Sequence, residues 1–170
     1  IVEGDTEEII LKSIEFGSFL QTLNIERVGV INTEGSKNML PRNIGKFREA
    51  LQRRQAEKVI ILTDLDDDVC VTKTKKRIEA LPEEIVVIAV QKIESWFLAD
   101  TLATSQFLGK SDFYIEFPEQ ETVPFESLKQ IRLVHSNRGI GDKKLLARNM
   151  LRCGFSLQRA AQHPNCHSAA

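Results

Sequence analysis

The chain has 170 residues, of which 42% are apolar and 28% charged, with a formal net charge of -1. That length suits one domain with a sizeable core, and the composition excludes a disordered chain or a disulfide scaffold. Near-neutral charge argues against a passive nucleic-acid coat but not against an enzyme whose metal ions supply positive charge locally. No run approaches the roughly 18 apolar residues of a membrane span, and no signal-peptide pattern is visible, so no membrane partner is expected. Cys70, Cys153 and Cys166 are odd in number and widely spaced, which reads as reduced thiols in a cytoplasm. Ile1 stands where Met would begin a chain, so a few residues are expected upstream.

Ile1 and Val2 read as the end of a strand. A tight turn at Gly4 follows, then a helix with Thr6 as N-cap, Glu7 and Glu8 in its first turn, and Ile9, Ile10, Ile14, Phe16 and Leu20 at helical spacing. Glu26 to Asn32 is a short β-branched run, hence a strand. Residues 33–43 carry loop residues, and Ile44 to Arg54 is an amphipathic helix. Lys58 to Asp64 is a continuous apolar run ending in an acid, as in strands buried on both faces of a parallel sheet. A basic helix over Val71 to Leu81, a buried strand over Glu84 to Val90 and a long helix over Ile93 to Gly109 complete the regular part. Residues 111–128 read as an irregular excursion, Gly141 to Gly154 as a helix, and the last eight residues as a frayed tail. The alternation predicts an α/β fold, a mostly parallel sheet with helices on both faces. A single domain over 1–170 is expected, with a core over 1–100 and a helical extension over 101–170.

Ligands of such sheets collect at the carboxyl ends of the strands, and three predicted strands end in acids. Glu3 follows the first, with Glu7 and Glu8 one helical turn later. Asp64, Asp66, Asp67 and Asp68 follow the third, and Glu94 follows the fourth. Carboxylates gathered together repel unless a cation sits among them, and hard oxygen donors suit Mg²⁺ or Mn²⁺. An EF-hand is excluded, because Val69 stands where Gly is required and Lys75 where the bidentate Glu belongs. A phosphatase with a nucleophilic Asp in an Asp-x-Asp pair is disfavoured, since here the pair lies mid-chain with Asp68 at the position usually held by Thr or Val.

The segment VEGDTEE, followed later by an apolar strand and DLDDD, resembles the TOPRIM domain, a Rossmann-like fold shared by topoisomerases, DnaG-type primases and OLD-family nucleases. The spacing, with IESWFLAD after it, is most similar to small stand-alone prokaryotic TOPRIM-like proteins related to the nuclease half of OLD proteins. The resemblance covers residues 1 to 100 well and the remainder loosely. It implies a Mg²⁺- or Mn²⁺-dependent nuclease that hydrolyses phosphodiesters, in DNA sooner than RNA. By that likeness Glu3 is the first motif acid, a general acid/base or metal ligand, Glu7 closes a Glu-x-x-x-Glu pair, Asp64 and Asp66 form the metal-holding Asp-x-Asp, and Glu94 is a further ligand. Lys143 or Lys144 would face the scissile phosphate. The sole tyrosine, Tyr114, lies in the irregular segment, which favours water as nucleophile over a topoisomerase mechanism.

Lys73, Lys75, Lys76 and Arg77 on the basic helix are candidates for phosphate-backbone contacts. The competing reading is a non-catalytic module that binds nucleic acid or a separate P-loop ATPase in a defence or repair system; this chain has no GxxxxGK[ST] loop of its own. Homo-oligomerisation is left open. His163, Cys166, His167 and Cys153 match no zinc spacing, and Trp96 and Phe97 read as core.

Overall fold

A computed structural model describes residues 1–170. It is a mixed α/β structure, and the chain divides into two compact units, 1–88 and 89–170.

In the first unit, α1 (Asp5–Lys12) starts from Gly4 in extended conformation, not from Thr6, which is buried within the helix. The single helix expected here is broken at Ser13. Its hydroxyl accepts the Phe16 N–H at 3.1 Å and so caps a second helix, α2 (Ile14–Thr22). A serine side chain competes with the helical ladder in this way wherever the preceding turn can end. After α3 (Pro41–Gln52), β1 (Val59–Asp64), α4 (Val71–Ile78) and β2 (Glu84–Ala89) form a β-α-β unit, and β1 and β2 pair as a two-stranded parallel sheet.

The sheet is smaller than the sequence suggests. The predicted strand over residues 26–32 contributes only the parallel bridge from Asn32 to Val2, and Val2 forms a second parallel bridge to Leu62. Residues 26–28 are exposed, Val28 to 39%, so the β-branched run lacks the burial that would extend it into a ladder. Backbone bonds nevertheless hold residues 1–3 between two neighbours. Val2 N–H donates to Ile31 O and Thr33 N–H to Val2 O, both at 2.9 Å. Leu62 N–H donates to Ile1 O at 2.9 Å and Glu3 N–H to Leu62 O at 3.1 Å. Strand alternation sends Ile1 and Ile61 to one face, where they pack with Met39, Ile44 and Leu51 from the α3 region and Ile78 from α4.

In the second unit, the long helix expected over 93–109 is broken at Asp100 into α5 (Glu94–Ala99) and α6 (Thr101–Leu108). The Asp100 carboxylate accepts the Ala103 N–H at 3.3 Å as an N-cap. It also takes two bonds, at 2.9 and 2.8 Å, from the Arg159 guanidinium and one at 2.8 Å from Ser156 N–H. The segment read as irregular holds the start of α7 (Pro124–Ser136), with Pro124 at the first helical position. The helices α8 (Lys143–Arg152) and α9 (Leu157–Ala161) follow. Phe97 is fully buried and packs edge-to-face on Phe155 with centroids 4.8 Å apart, and Trp96 is buried as expected of core residues.

The C-terminal tail is not frayed. Ser168 Oγ accepts Val90 N–H at 3.1 Å and Trp96 Nε1–H at 2.9 Å, and Ser168 N–H donates to Glu119 at 2.6 Å. Small polar residues without periodicity look like a loose end, yet here they satisfy donors that burial would otherwise strand.

Asp100→Ala should lower the unfolding free energy by about 3–5 kcal/mol, because it leaves the Arg159 charge and two backbone N–H groups without their acceptor. Urea unfolding followed by circular dichroism checks this.

Candidate functional site

The parallel pairing of residues 1–3 with β1 sets Glu3 beside the carboxyl end of that strand. The Glu3 Oε2 accepts the Thr63 hydroxyl in a short hydrogen bond and the Asp64 N–H at 3.3 Å. Its backbone is fixed as well, since Gly35 N–H donates to Glu3 O at 2.8 Å. Asp64, the last residue of β1, is 8% exposed. Glu7 lies one helical turn after Glu3 on α1 and is 4% exposed. It folds back over the turn, because a Cβ built on Gly4 would stand 3.2 Å from Glu7 Oε2. Gly4 therefore gives the Glu7 carboxylate its room. Glu3 and Asp64 thus meet at one strand end, with the buried Glu7 one turn away on α1.

The neighbouring acids have other duties. Glu8 pairs with Lys12 at 2.5 Å, and that hydrogen bond holds its carboxyl below the ordinary glutamate range. Asn32 donates to both Asp5 at 3.0 Å and Glu8 at 3.1 Å. Asp66 adopts a left-handed backbone (φ 49°) where the chain leaves the strand, so the alternation that would carry it along with Asp64 ends there. Asp67 is exposed. Asp68 accepts the Thr74 hydroxyl at 2.9 Å and pairs with Arg77 at 3.1 Å, tying the acidic turn to α4. Of the four basic residues on that helix, Lys73, Lys75 and Lys76 are exposed, and Arg77 is engaged with Asp68.

No group of three or more His, Cys, Asp or Glu side chains is arranged to hold a metal ion. Mg²⁺ is usually held by one or two carboxylates, with water and substrate phosphate filling the other positions, and Glu3 and Asp64 are residues of the right chemistry for that.

The remaining predicted residues lie in the second unit. Glu94 is the first residue of α5 and fully buried, and Lys143 Nζ stands 3.0 Å from its Oε1. Lys143 and Lys144 open α8 behind the N-cap Asp142, which accepts Leu145 N–H at 2.7 Å. Lys144 is exposed. His163 is no ligand: one ring nitrogen bonds Ile115 O at 3.0 Å and the other accepts Asn165 N–H at 3.2 Å, with Tyr114 stacked on the ring. Cys166 is buried, and burial pushes its thiol up to about 12.

Thr63 and Asn32 are the residues that a search for acids passes over. The signal for Thr63 is a lone hydroxyl in an otherwise apolar run, directly before the terminal acid. Comparison of the chain with protein-family models, with curated proteins and with solved structures finds no match.

Thr63→Val keeps the shape of the side chain and removes its donor to Glu3. The expected loss is roughly 1.5–3 kcal/mol, the scale of a hydrogen bond to a charged group, read as a lower urea midpoint with unchanged far-ultraviolet circular dichroism.

Proposed function

We propose that the protein is a Mg²⁺- or Mn²⁺-dependent nuclease of TOPRIM type, acting on phosphodiesters of DNA. The observation that carries this reading is the placement of Glu3 against the end of β1, beside Asp64, by a hydroxyl and an amide donor. The parallel contacts among residues 31–33, 1–3, β1 and β2 support a Rossmann-like arrangement, in which the carboxyl ends of strands gather ligands.

Glu3 and Asp64 would hold the metal, with Glu7 and Asp66 completing its surroundings; in the second unit, Glu94 is a further metal-ligating acid that the resemblance adds. A divalent ion bound there supplies Lewis acidity toward a phosphoryl oxygen and toward water. The chain's own contribution is orientation. Thr63 and the Asp64 amide fix one oxygen of Glu3, and Oε1, which makes neither bond, is the atom that would face either the metal or, as general acid/base, the attacking water. Lys73, Lys75 and Lys76 would contact the phosphate backbone and carry no base preference. Arg77 braces the acidic turn through Asp68 and contributes less to that surface.

Supercoiled plasmid incubated with Mn²⁺ should be nicked or degraded, and EDTA should stop it. Asp64→Ala with Asp66→Ala should cut the rate by at least about 100-fold, the scale of losing a group that stabilises transition-state charge. Cleavage that persists in EDTA or in the double variant would sink the reading. Replacing Lys73, Lys75 and Lys76 together by Ala should weaken binding of all DNA sequences alike. The slope of log affinity against log salt should fall by about 0.9 for each phosphate that is no longer neutralised, as measured by fluorescence anisotropy.

A further inference from the structure

The chain treats its buried carboxylates unequally. Glu84, with a side chain 1% exposed, takes two bonds from Arg48, at 2.7 and 2.6 Å, and one from Leu81 N–H at 2.8 Å. Asp100, also 1% exposed at its side chain, takes two from Arg159 and two from backbone N–H groups. Glu94 is 0% exposed, and neither of its carboxylate oxygens has a hydrogen-bond partner. Lys143 Nζ lies 3.0 Å from Oε1, close enough for an ion pair but outside hydrogen-bond geometry, and the Lys143 side chain is 48% exposed. The adjacent Ser95 hydroxyl is buried without a partner as well.

A buried carboxylate without hydrogen bonds is costly, and proteins resolve the cost by pairing it or by giving it a cation. A lysine ammonium is a compact point charge on a flexible stem, with none of the fixed two-pronged grip of arginine. At Glu94 it supplies charge without satisfying the lone pairs, and it reaches there from a water-accessible position.

We propose that Glu94 is a ligand for a hard divalent cation and that the Lys143 ammonium occupies the ion's place until the ion displaces it. This deepens the proposed function and rests on its reading of Glu94 as a metal ligand. The ion's arrival frees Lys143, which then offers its charge to an anion such as a phosphodiester. Availability of that cation is thereby tied to metal occupancy, and in the metal-free protein Lys143 is held back.

The test uses the full chain with its lysines reductively methylated with ¹³C, the Lys143 signal being assigned by its absence in Lys143→Arg. Mg²⁺ should move the Lys143 signal of the wild type to the position it has in Glu94→Gln, and should leave the Glu94→Gln signal where it is. A Lys143 signal unmoved by Mg²⁺, or moved equally in both proteins, overturns the proposal. Independently, Mn²⁺ titrated at pH 8 and followed by electron paramagnetic resonance should bind Lys143→Met about tenfold more tightly than wild type, as follows if the ion pair fills the site nine times in ten. Equal or weaker binding by a Lys143→Met protein with a wild-type melting curve also overturns it, and the ¹³C titration decides if that variant does not fold. Neither readout uses cleavage. A protein that cuts no nucleic acid but releases Lys143 with Mg²⁺ keeps this inference and loses the nuclease reading. One that cuts while Lys143 stays in place does the reverse.

Discussion

The chemistry open to the first unit depends on one register, the parallel pairing that fixes Val2 between residues 31–33 and β1. Val2 is fully buried and exchanges backbone hydrogen bonds with Ile31 and Thr33, while Ile1 and Glu3 on either side of it exchange theirs with Leu62 of β1. With a side-chain period of two, a slip of one residue would send Ile1 out of the cluster formed by Ile44, Ile61 and Ile78 and carry Glu3 away from Thr63. Apolar packing at Ile1 and polar contact at Glu3 therefore select the same register. The cost of bringing residue 3 to residue 64 in the chain is met by the core, not by the acids themselves.

That division matters because of how the acids are neutralised. Glu8 is matched by Lys12, Asp68 by Arg77, Glu84 by Arg48 and Asp100 by Arg159. In each of these the negative charge is cancelled by a cation of the same chain, and the pair serves as a brace. The Oε2 of Glu3 is positioned by a hydroxyl and an amide. Neutral donors orient a carboxylate and leave its charge in place, so its field remains directed at whatever approaches the strand end. Acidity in the sequence alone does not separate these two kinds of carboxylate; the identity of the donor does.

The parts of the fold legible in the sequence are those where one physical signal dominates. The apolar runs that became β1 and β2 were readable from their unbroken β-branched sequence, although the burial expected on both faces is reached only toward their carboxyl ends, with Ile60 and Ile85 49% and 51% exposed, and the helical periodicity of residues 44–52 and 143–152 placed α3 and α8. The breaks at Ser13 and Asp100 were not readable, since a capping residue inside an apolar periodicity looks like an ordinary polar position until its side chain is seen to accept the next N–H. The strand over residues 26–32 failed for the opposite reason: β-branched residues describe a preference for a sheet, and here only one residue of the run finds a bridge. At the candidate site, Glu3, Glu7 and Asp64 were visible as acids after strands. Thr63 and the pairing of Asp68 with Arg77 were hidden, because partners distant in sequence leave no local pattern.

The choice between arginine and lysine distinguishes the buried carboxylates Glu84 and Asp100 from Glu94. Where a buried carboxylate serves only to hold the fold, as at Glu84 and Asp100, the partner is an arginine whose planar fork fills two acceptor positions at once and gives them up together or not at all. Breaking such a pair leaves a buried carboxylate without its donors, which is costly. At Glu94 the partner is a lysine with a solvent-accessible stem, and the carboxylate oxygens remain unbonded. A single point charge there can be exchanged for another without loss of a directional bond, because none has been made. The fold thus places its irreplaceable contacts where geometry must persist and a weakly directional buried contact where a cation of higher charge would be the better occupant.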